Sequence, residues 1–314
     1  MSGRIATREA YGAALRDLGG EADFVVLDAD LSHSTMTGLF AERFPRRFVN
    51  VGISEQNLLA VAAGLAYSGK IVFASTFAVF ATKAWDLLRI IAHDGLDVRL
   101  AVSHGGLSNG PDGWSHQSVE DVAVMRAIPN FRVVVPADAV ETREAVRAAL
   151  SRGGPWYIRL SKLEVPVIFG DDYRFRLGMG LVLRDGEDVA ILAYGVMLHE
   201  ALRAAEALGK RGISAAVVDV HTVKPLDEDL VEALARRTGA IVTAEDANVI
   251  GGLGGAVAEA LARRYPAPVE MIGVRDAFGR SGETRALYAE YGLTADAIEE
   301  GALRAVGRRG RGAA

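Results

Sequence analysis

The 314-residue sequence contains no cysteine. Disulfide bonds, zinc–thiolate sites, iron–sulfur clusters and a cysteine nucleophile are therefore excluded. Aromatic residues make up only 7% of the chain, so its core must be built mainly from alanine, valine, leucine and isoleucine. No run approaches the roughly 18 apolar residues that a membrane span needs, and the N-terminal segment lacks the apolar stretch of a signal peptide.

The charge balance is ordinary for a globular protein. Charged residues make up 24% of the chain, and the net charge is −5. This balance lacks the basic excess of nucleic-acid-binding proteins, so nucleic acid is not an expected partner. We expect a cytoplasmic protein without membrane contact, and 314 residues are most simply two domains.

Short apolar runs alternate with helical patterns through the first half of the chain. The runs are rich in β-branched residues and are bounded by glycine, proline or aspartate, which is typical of strands covered on both faces. We predict strands over 24–28, 70–75, 98–103, 131–136 and 155–160. We predict helices over 7–18, 54–68, 77–93, 119–127 and 138–151, with Thr7, Ser54 and Asp138 as N-cap residues.

The alternation lapses between Lys162 and Gly180 and then resumes. We predict further strands over 188–195, 214–220, 240–246 and 268–276, and helices over 196–208, 227–237, 253–264 and 294–304. The predicted fold class is α/β, with two domains whose mostly parallel sheets are flanked by helices. The predicted organisation is a first domain, a linker, a second domain and a disordered basic tail, over 1–165, 166–180, 181–307 and 308–314.

Glu55 stands in the first turn of an alanine-rich helix that carries almost no other charge, within the segment GISEQN. A first-turn glutamate often does no more than complement the helix dipole. The other interpretation is a carboxylate beside an apolar cavity, where it would hydrogen-bond a nitrogen of a ligand. The residues alone leave both interpretations open.

The segment SHGGLSNGPDGWSHQ follows a predicted strand and precedes a predicted helix, which is where open α/β sheets hold ligands. It contains His104, Asp112 and His116 among four glycines. The histidines are poorly spaced for a shared metal ion, so proton transfer or hydrogen bonding to a hydroxylated substrate is the better functional interpretation. A plain glycine-rich loop is the alternative.

Two other motifs suggest functions that the sequence does not support. GGLGGAV at 251–257 has valine where the dinucleotide fingerprint has its third glycine, so it predicts a tight turn between a strand and a helix. HGG at 104–106 is similar to an oxyanion-hole motif, but the chain has no G-x-S-x-G nucleophile elbow. A serine hydrolase is therefore disfavoured.

Together, GISEQN and SHGGLSNGPDGWSHQ resemble segments of the thiamine diphosphate enzymes of the transketolase family. The resemblance runs over nearly the whole chain and covers the family's pyrimidine-binding and C-terminal domains. The family's first domain grips the diphosphate and Mg²⁺ through a Gly-Asp-Gly-type motif, which has no equivalent here. The resemblance therefore implies one half of a split transketolase, with the Mg²⁺ ligands on a partner chain and none on this one.

The resemblance implies roles for the residues near the cofactor. Glu55 matches the glutamate that binds the aminopyrimidine ring and favours its imino tautomer, so that the base lies within the cofactor itself. Phe77 and Phe80 match aromatic residues that pack on the pyrimidine. Asp30 matches an aspartate close to the cofactor, and Lys83 stands where many members have a third aromatic residue.

The resemblance also implies a substrate channel. His104, Asp112 and His116 match polar residues that line it, with Asp112 near the donor's hydroxyl group. The two histidines are expected to be catalytic, near the carbonyl and hydroxyl oxygens of the donor.

Four residues fall where the family binds a sugar phosphate, namely Arg8, Ser34, His104 and Lys162. Lys162 replaces a common arginine, and lysine holds phosphate as a point charge without the bidentate fork. Trp114 stands where many members have proline. Both departures leave room for substrates other than the common pentose phosphates.

The resemblance implies a subunit that transfers a two-carbon ketol unit between phosphorylated sugars. Its expected partner is the diphosphate-binding subunit, in an α₂β₂ heterotetramer. One alternative is the beta subunit of a 2-oxo acid dehydrogenase decarboxylase component, although the loop NGPDGWSHQ matches transketolases more closely. A 1-deoxyxylulose-5-phosphate synthase is disfavoured, because that enzyme is normally one continuous chain. A second alternative is a catalytically silent scaffold, which the presence of Glu55, Phe77 and His104 disfavours.

Overall fold

The computed structural model describes residues 3–309. The strands are β1 (Arg4–Ala6), β2 (Val25–Asp28), β3 (Phe48–Asn50), β4 (Val72–Phe77), β5 (Val98–Ser103), β6 (Arg132–Val134), β7 (Trp156–Arg159), β8 (Glu164–Pro166), β9 (Leu181–Arg184), β10 (Val189–Ala193), β11 (Ala215–Asp219), β12 (Thr222–Lys224), β13 (Ile241–Asn248) and β14 (Val269–Val274).

The helices are α1 (Thr7–Leu18), α2 (Ser32–Thr35), α3 (Gly38–Arg43), α4 (Glu55–Tyr67), α5 (Ala78–Ala81), α6 (Trp85–His93), α7 (Asp121–Ala127), α8 (Ala139–Ser151), α9 (Met197–Lys210), α10 (Glu228–Thr238), α11 (Leu253–Arg264), α12 (Thr284–Glu290) and α13 (Ala295–Gly307). Short 3₁₀ turns cover Pro45–Arg47, Thr82–Ala84, Gly110–Asp112 and Trp114–His116. None of the helices within residues 3–309 is long and apolar enough to cross a membrane.

Two large sheets organise the described residues into a first unit (β1–β8 with α1–α8) and a second unit (β9–β14 with α9–α13), and β1 and β8 form a separate two-stranded antiparallel sheet. The first sheet has the strand order β12–β6–β7–β5–β4–β2–β3, and its strands from the first unit are all parallel. The second sheet has the order β14–β13–β10–β11–β9, in which only the edge strand β9 is antiparallel. The predicted α/β fold class with two mostly parallel sheets is confirmed.

The two units also contact each other through a shared sheet and a shared apolar cluster. Strand β12 follows β11 of the second unit but pairs antiparallel with β6, so it completes the first sheet. Buried apolar residues of both units also pack into one cluster, which includes Leu100 and Val133 of the first unit and Val220 and Val223 of the second. The units therefore share part of their hydrophobic core.

The sequence pattern predicts the bounds of several elements correctly. Strand β5 and helices α1 and α11 begin and end where the sequence predicts. The predicted helix over 77–93 is wrong: Phe77 closes β4, and a 3₁₀ turn at Thr82–Ala84 separates α5 from α6. The sequence patterns also missed the short elements β1, β3, β8, β9, β12, α2, α3 and α12.

The predicted N-caps have different outcomes. Asp138 caps α8, since its Oδ1 accepts the Glu141 N–H at 2.8 Å, as predicted. Ser54 occupies the N-cap position of α4 without a hydrogen bond from its side chain. The prediction for Thr7 is wrong, because Ala6 holds the N-cap position and the Thr7 hydroxyl instead accepts the Ser161 N–H at 2.8 Å.

We propose that 166–180 is the linker, between a first domain at 1–165 and a second at 181–307. Its backbone is held near its start, where Asp138 Oδ2 accepts the N–H groups of Ile168 and Phe169 at 2.7 and 2.9 Å, and at its end, where Asp227 Oδ2 accepts the Gly180 N–H at 3.0 Å. Of the tail predicted at 308–314, Arg308 pairs with Glu270 and Arg309 with Asp188. Residues 310–314 lie outside the described residues.

The glycine-rich turn at 251–257 connects β13 to α11, as predicted. Glu245 lies beneath it, and its carboxylate accepts the N–H groups of Leu253 and Gly254 at 2.8 and 2.9 Å. A Cβ at Gly252 would overlap this carboxylate. The protein's own Glu245 thus occupies the helix N-terminus where a dinucleotide-binding protein would place a phosphate.

Candidate active site

Most predicted site residues follow neighbouring strands of the first sheet. Strands β7, β5, β4, β2 and β3 lie side by side and run in the same direction. Their carboxyl ends therefore bring one residue after another to the same edge, where open α/β sheets bind ligands. Along this edge lie Lys162 after β7, His104 after β5, Phe77 at the end of β4, Asp30 after β2 and Glu55 after β3.

Aromatic rings form a continuous wall at this edge. Phe77 and Phe80 stack with ring centroids 5.4 Å apart and an angle of 10° between planes. The His104 ring also stacks on Phe77, with the two ring centroids 3.7 Å apart. His116 meets Phe80 edge-on at 5.3 Å. Both predicted histidines are thus brought together with both predicted phenylalanines.

His104 is buried and has a left-handed backbone, with φ of 61°. Its Nδ1 lies 2.8 Å from the hydroxyl oxygen of Ser103. Burial, together with the smaller effects of Arg8, Lys162 and His116, lowers the pKa of His104 to about 3. The imidazole is therefore neutral near pH 7, with one nitrogen that donates and one that accepts.

We expect the native chain to lose stability relative to a His104→Gln variant as the pH falls from 6.5 towards 3. In this window the unfolded chain binds a proton that the folded chain excludes, so one histidine contributes a slope of up to about 1.4 kcal/mol per pH unit. Chemical denaturation at a series of pH values measures this difference. A His93→Gln variant, which alters an exposed histidine, is the control, and a difference between native and His104→Gln that does not vary with pH would contradict a buried neutral His104.

Glu55 is the first residue of α4, and its carboxylate is buried. Lys83 Nζ lies 3.5 Å from Glu55 Oε2 and 4.7 Å from the centre of the Phe80 ring. The lysine that replaces a third aromatic residue therefore sits between the carboxylate and the aromatic wall. Glu55 is also placed at the positive end of the α4 dipole, so both interpretations of this residue are compatible with its position.

Arg8 contacts Ser34, since its Nη1 donates to the Ser34 carbonyl oxygen at 2.9 Å. Among the described residues the buried Arg8 Nε has no hydrogen-bond partner. Asp30 lies further along the edge, at the surface, with a φ of 65°. Within residues 3–309 its carboxylate accepts a hydrogen bond from Asn50 Nδ2 at 3.0 Å and bonds none of the predicted site residues.

Asp112 and Lys162 face each other across the glycine-rich loop. Lys162 Nζ lies 3.5 Å from Asp112 Oδ2, and the two side chains are 37% and 43% exposed. An ion pair this open to solvent contributes little stability, so Lys162 can exchange its partner at small cost. Lys162 also lines a cleft of about 380 Å³ together with Arg4 and Arg285.

Buried amides that the sequence patterns did not single out hold this loop. Asn109 Nδ2 donates to the His116 carbonyl oxygen at 2.7 Å, and Gln117 Nε2 donates to the Arg280 carbonyl oxygen at 3.0 Å. The Gly282 N–H also donates to the Gly110 carbonyl oxygen at 3.1 Å. The second unit therefore braces the segment that carries Asp112 and His116, a contact that no local sequence signal marks.

The residues at this edge fit the pyrimidine end of thiamine diphosphate. The flat wall of Phe77 and Phe80 suits an aromatic ring, and the buried Glu55 carboxylate is an acceptor for a protonated ring nitrogen. Among residues 3–309 no group of three or more acidic or histidine side chains is arranged to hold a metal ion. The flat wall and the buried carboxylate are thus compatible with a pyrimidine ring.

Comparisons with known proteins agree with this geometry. The family model for the transketolase pyrimidine-binding domain matches residues 3–167, and that for the transketolase C-terminal domain matches residues 178–298. A 6-deoxy-6-sulfo-D-fructose transketolase subunit from Clostridium sp. (strain MSTE9) is 43% identical, over 96% of this chain and 95% of its own. Human transketolase is 39% identical over 95% of this chain, which spans only 48% of that enzyme.

A solved structure described as a split gene transketolase, inactive beta4 tetramer, has the same fold. It superposes with a TM-score of 0.91 at 51% identity, over 97% of this chain and 99% of its own. Both family models together leave only short segments of this chain unmatched. The chain therefore belongs to the transketolase family and carries its pyrimidine-binding and C-terminal domains.

Proposed function

We propose that this chain is one subunit of a thiamine diphosphate-dependent transketolase that transfers a two-carbon ketol unit between sugar phosphates. The observation that carries the proposal is one edge of one sheet, where a buried Glu55, the Phe77–Phe80 wall and a neutral His104 lie beside the cations Arg8 and Lys162. The names of the relatives support a split enzyme, since two of them are subunits of transketolases.

The pyrimidine end of thiamine diphosphate would lie against Phe77 and Phe80. When bound, the cofactor supplies the nucleophilic carbon for cleavage of a carbon–carbon bond. Glu55 would hold a proton at a pyrimidine nitrogen, for which Lys83 must leave its position 3.5 Å from the Glu55 carboxylate. The Lys83 side chain is 58% exposed and can turn into solvent, but Glu55 is buried, so the pyrimidine N–H would have to replace the lysine as its partner. Asp30 is a further proposed contact near the cofactor.

His104 and His116 would bind the oxygens of the sugar that change during the reaction. The neutral His104 can donate to a carbonyl oxygen or accept from a hydroxyl group. His116 meets the same aromatic wall from the side, so the two imidazoles face one space. Asp112 would accept a hydrogen bond from a hydroxyl of the donor.

Arg8 and Lys162 would bind the phosphate of the sugar, together with the backbone around Ser34. Both cations lie close enough to His104 to lower the pKa of its imidazole. A 2-oxo acid carries a carboxylate but no phosphate, so a pair of cations suits the larger negative charge of a sugar phosphate better. The cationic side of the site thus favours sugar phosphates as substrates.

The diphosphate and Mg²⁺ would be bound by a partner subunit, in an α₂β₂ assembly. Helix α4 and the segment before it expose apolar residues to solvent. Ile53, in that preceding segment, is 82% exposed. Tyr67 and Trp85 are exposed nearby on α4 and α6. Glu55 opens the same helix, so a partner that covered this face would close the cofactor site.

Arg8→Ala and Lys162→Ala are each expected to raise the KM for a phosphorylated ketose about ten- to hundredfold and to lower kcat far less. Each change removes a charge-assisted contact worth ~1.5–3 kcal/mol that is made equally in the ground and transition states. The assay is steady-state kinetics of the reconstituted enzyme with a phosphorylated donor and its unphosphorylated analogue. For the second donor the KM should not change.

Lys70→Ala is the matched control, because Lys70 is exposed and pairs with Asp23 away from the site. It should leave both donors unaffected. A native enzyme that does not prefer phosphorylated donors would show that Arg8 and Lys162 do not bind phosphate.

A further inference from the structure

A buried arginine lies directly behind the segment that carries His104. Arg159 ends β7, next to β5, and its side chain is only 3% exposed. Its Nε donates to Asp121 Oδ2 at 2.8 Å, and its Nη1 donates to Asp246 Oδ1 at 2.6 Å. Asp121 opens α7 in the first unit, whereas Asp246 lies in β13 of the second. One guanidinium therefore joins two carboxylates from different units.

Tyrosine hydroxyls complete this buried network. Tyr157 OH donates to Asp121 Oδ2 at 2.7 Å, and Tyr288 OH donates to Asp246 Oδ2 at 3.1 Å. Burial opposes the charge of Arg159, but the carboxylates of Asp121 and Asp246 hold the pKa of its guanidinium well above the usual value. Because a buried charge needs each of its partners, loss of one of them disturbs the whole network.

The network touches the backbone that follows His104. A Cβ at Gly105 would lie 2.7 Å from Arg159 Nε, and a Cβ at Gly106 would overlap the carboxylate of Asp246. The Gly105 N–H donates to the Leu160 carbonyl oxygen at 3.1 Å, and the Gly106 N–H donates to the Ser118 carbonyl oxygen at 2.7 Å. Arg159 Nη2 donates to the same Ser118 oxygen at 3.4 Å. The backbone of Gly105 and Gly106 thus packs directly against the network, with no space for a side chain at either position.

His104 itself depends on this backbone. Its φ of 61° is a left-handed conformation that is uncommon for residues other than glycine, so the surrounding contacts must help to hold it. The same conformation directs the ring onto Phe77. A small rotation of the following peptide would therefore move the imidazole away from the aromatic wall.

We infer that Arg159 and Asp246 are positioning residues, which hold the Gly105–Gly106 backbone so that the His104 ring stays stacked on Phe77. The second unit then acts on the chemistry without contacting substrate, since Asp246 and Tyr288 both belong to it. This inference rests on the proposed function of His104, whereas the placement of the ring can be measured without turnover.

The test compares Asp246→Asn, Tyr288→Phe and, as a control, Arg126→Gln in the full chain with ¹³C-labelled histidine. The proton signals of the His104 ring, assigned with His104→Gln, should lie upfield in the native chain because the ring stacks on Phe77 at 3.7 Å. Asp246→Asn should remove most of this ring-current shift, and Tyr288→Phe a smaller part. Arg126→Gln breaks another contact between the units, the pair of Arg126 and Glu259 at 2.8 Å, and should leave the signal in place.

The reconstituted enzyme supplies a second readout. The kcat of Asp246→Asn should fall at least tenfold with a smaller change in KM for the donor, while Arg126→Gln keeps the native kcat. If Asp246→Asn and Tyr288→Phe lower the stability of the chain but leave the His104 signal where it is in the native chain, the network has only a structural role and the inference is wrong. If the native enzyme transfers no ketol unit, the proposed function fails, yet the histidine signals still decide the positioning.

Discussion

Replacing Glu55 by glutamine is expected to lower the turnover of ketol transfer by about 10²–10⁴-fold, while the subunit still folds and assembles. The two side chains are nearly isosteric, so packing at the start of α4 should survive. What is lost is a carboxylate that can hold a proton at the pyrimidine nitrogen of the bound cofactor. The measurement is hydrogen–deuterium exchange at the thiazolium carbon, together with steady-state turnover.

Glu228→Gln is the matched control for this prediction. Glu228 is the first residue of α10, as Glu55 is of α4, and it also pairs with a cation, Arg263, at 2.6 Å. Both substitutions remove a dipole interaction worth ~0.3–1 kcal/mol. If Glu55 serves only the helix dipole, the two variants will behave alike, with a small loss of stability and native exchange at the cofactor.

The chain purified alone is expected to show no measurable ketol transfer, even with thiamine diphosphate and Mg²⁺ present. The described residues hold no group of three or more acidic or histidine side chains for the metal, and a structure 51% identical to this chain is described as an inactive tetramer. Activity should appear when a chain with the diphosphate-binding domain is added. Robust transfer by this chain alone would rule out the split enzyme.

The partner surface can be tested with a single charge. Ile53→Asp places a carboxylate on the most exposed large apolar residue of the described chain and should weaken association with the partner by about thirtyfold, the effect of ~2 kcal/mol at an interface hot spot. Ile250→Asp is the control, since Ile250 is 61% exposed on the second unit, beyond the α4–α6 face. Titration of activity with partner concentration measures both. Equal affinities for the two variants would place the interface elsewhere.

The sequence predicted the parts of the fold that local patterns determine. The β5 run VRLAVS is apolar except for Arg99 and Ser103 and is buried throughout because helices cover both faces of its sheet, and its bounds followed directly. The predicted helix over 77–93 failed because apolar residues recur across a strand end, a 3₁₀ turn and two helices, with no glycine or proline to mark the breaks. Strand β12 has only three residues and pairs with β6 of the other unit, so nothing near it in sequence indicates a strand.

The candidate site divides in the same way. His104, Phe77 and Lys162 could be predicted to lie together because each follows a strand of one parallel sheet, and carboxyl ends of such strands meet at one edge. The pairing of Lys83 with Glu55 depends on how α4 and the turn after α5 pack, which spacing does not determine. Arg159 carried one sequence signal, a charge inside the apolar run WYIRL, but its partner Asp246 is 87 residues away.

Strand β12 has a consequence for the order in which the chain folds during synthesis. The ribosome releases the first unit through Pro166, and at that stage β6 is the open edge of a sheet whose backbone groups have no partner there. Strand β12 covers this edge only when the chain has emerged as far as Lys224, about 60 residues later. A nascent or truncated chain that stops at the linker therefore presents a bare strand edge, the feature through which unrelated chains join into aggregates.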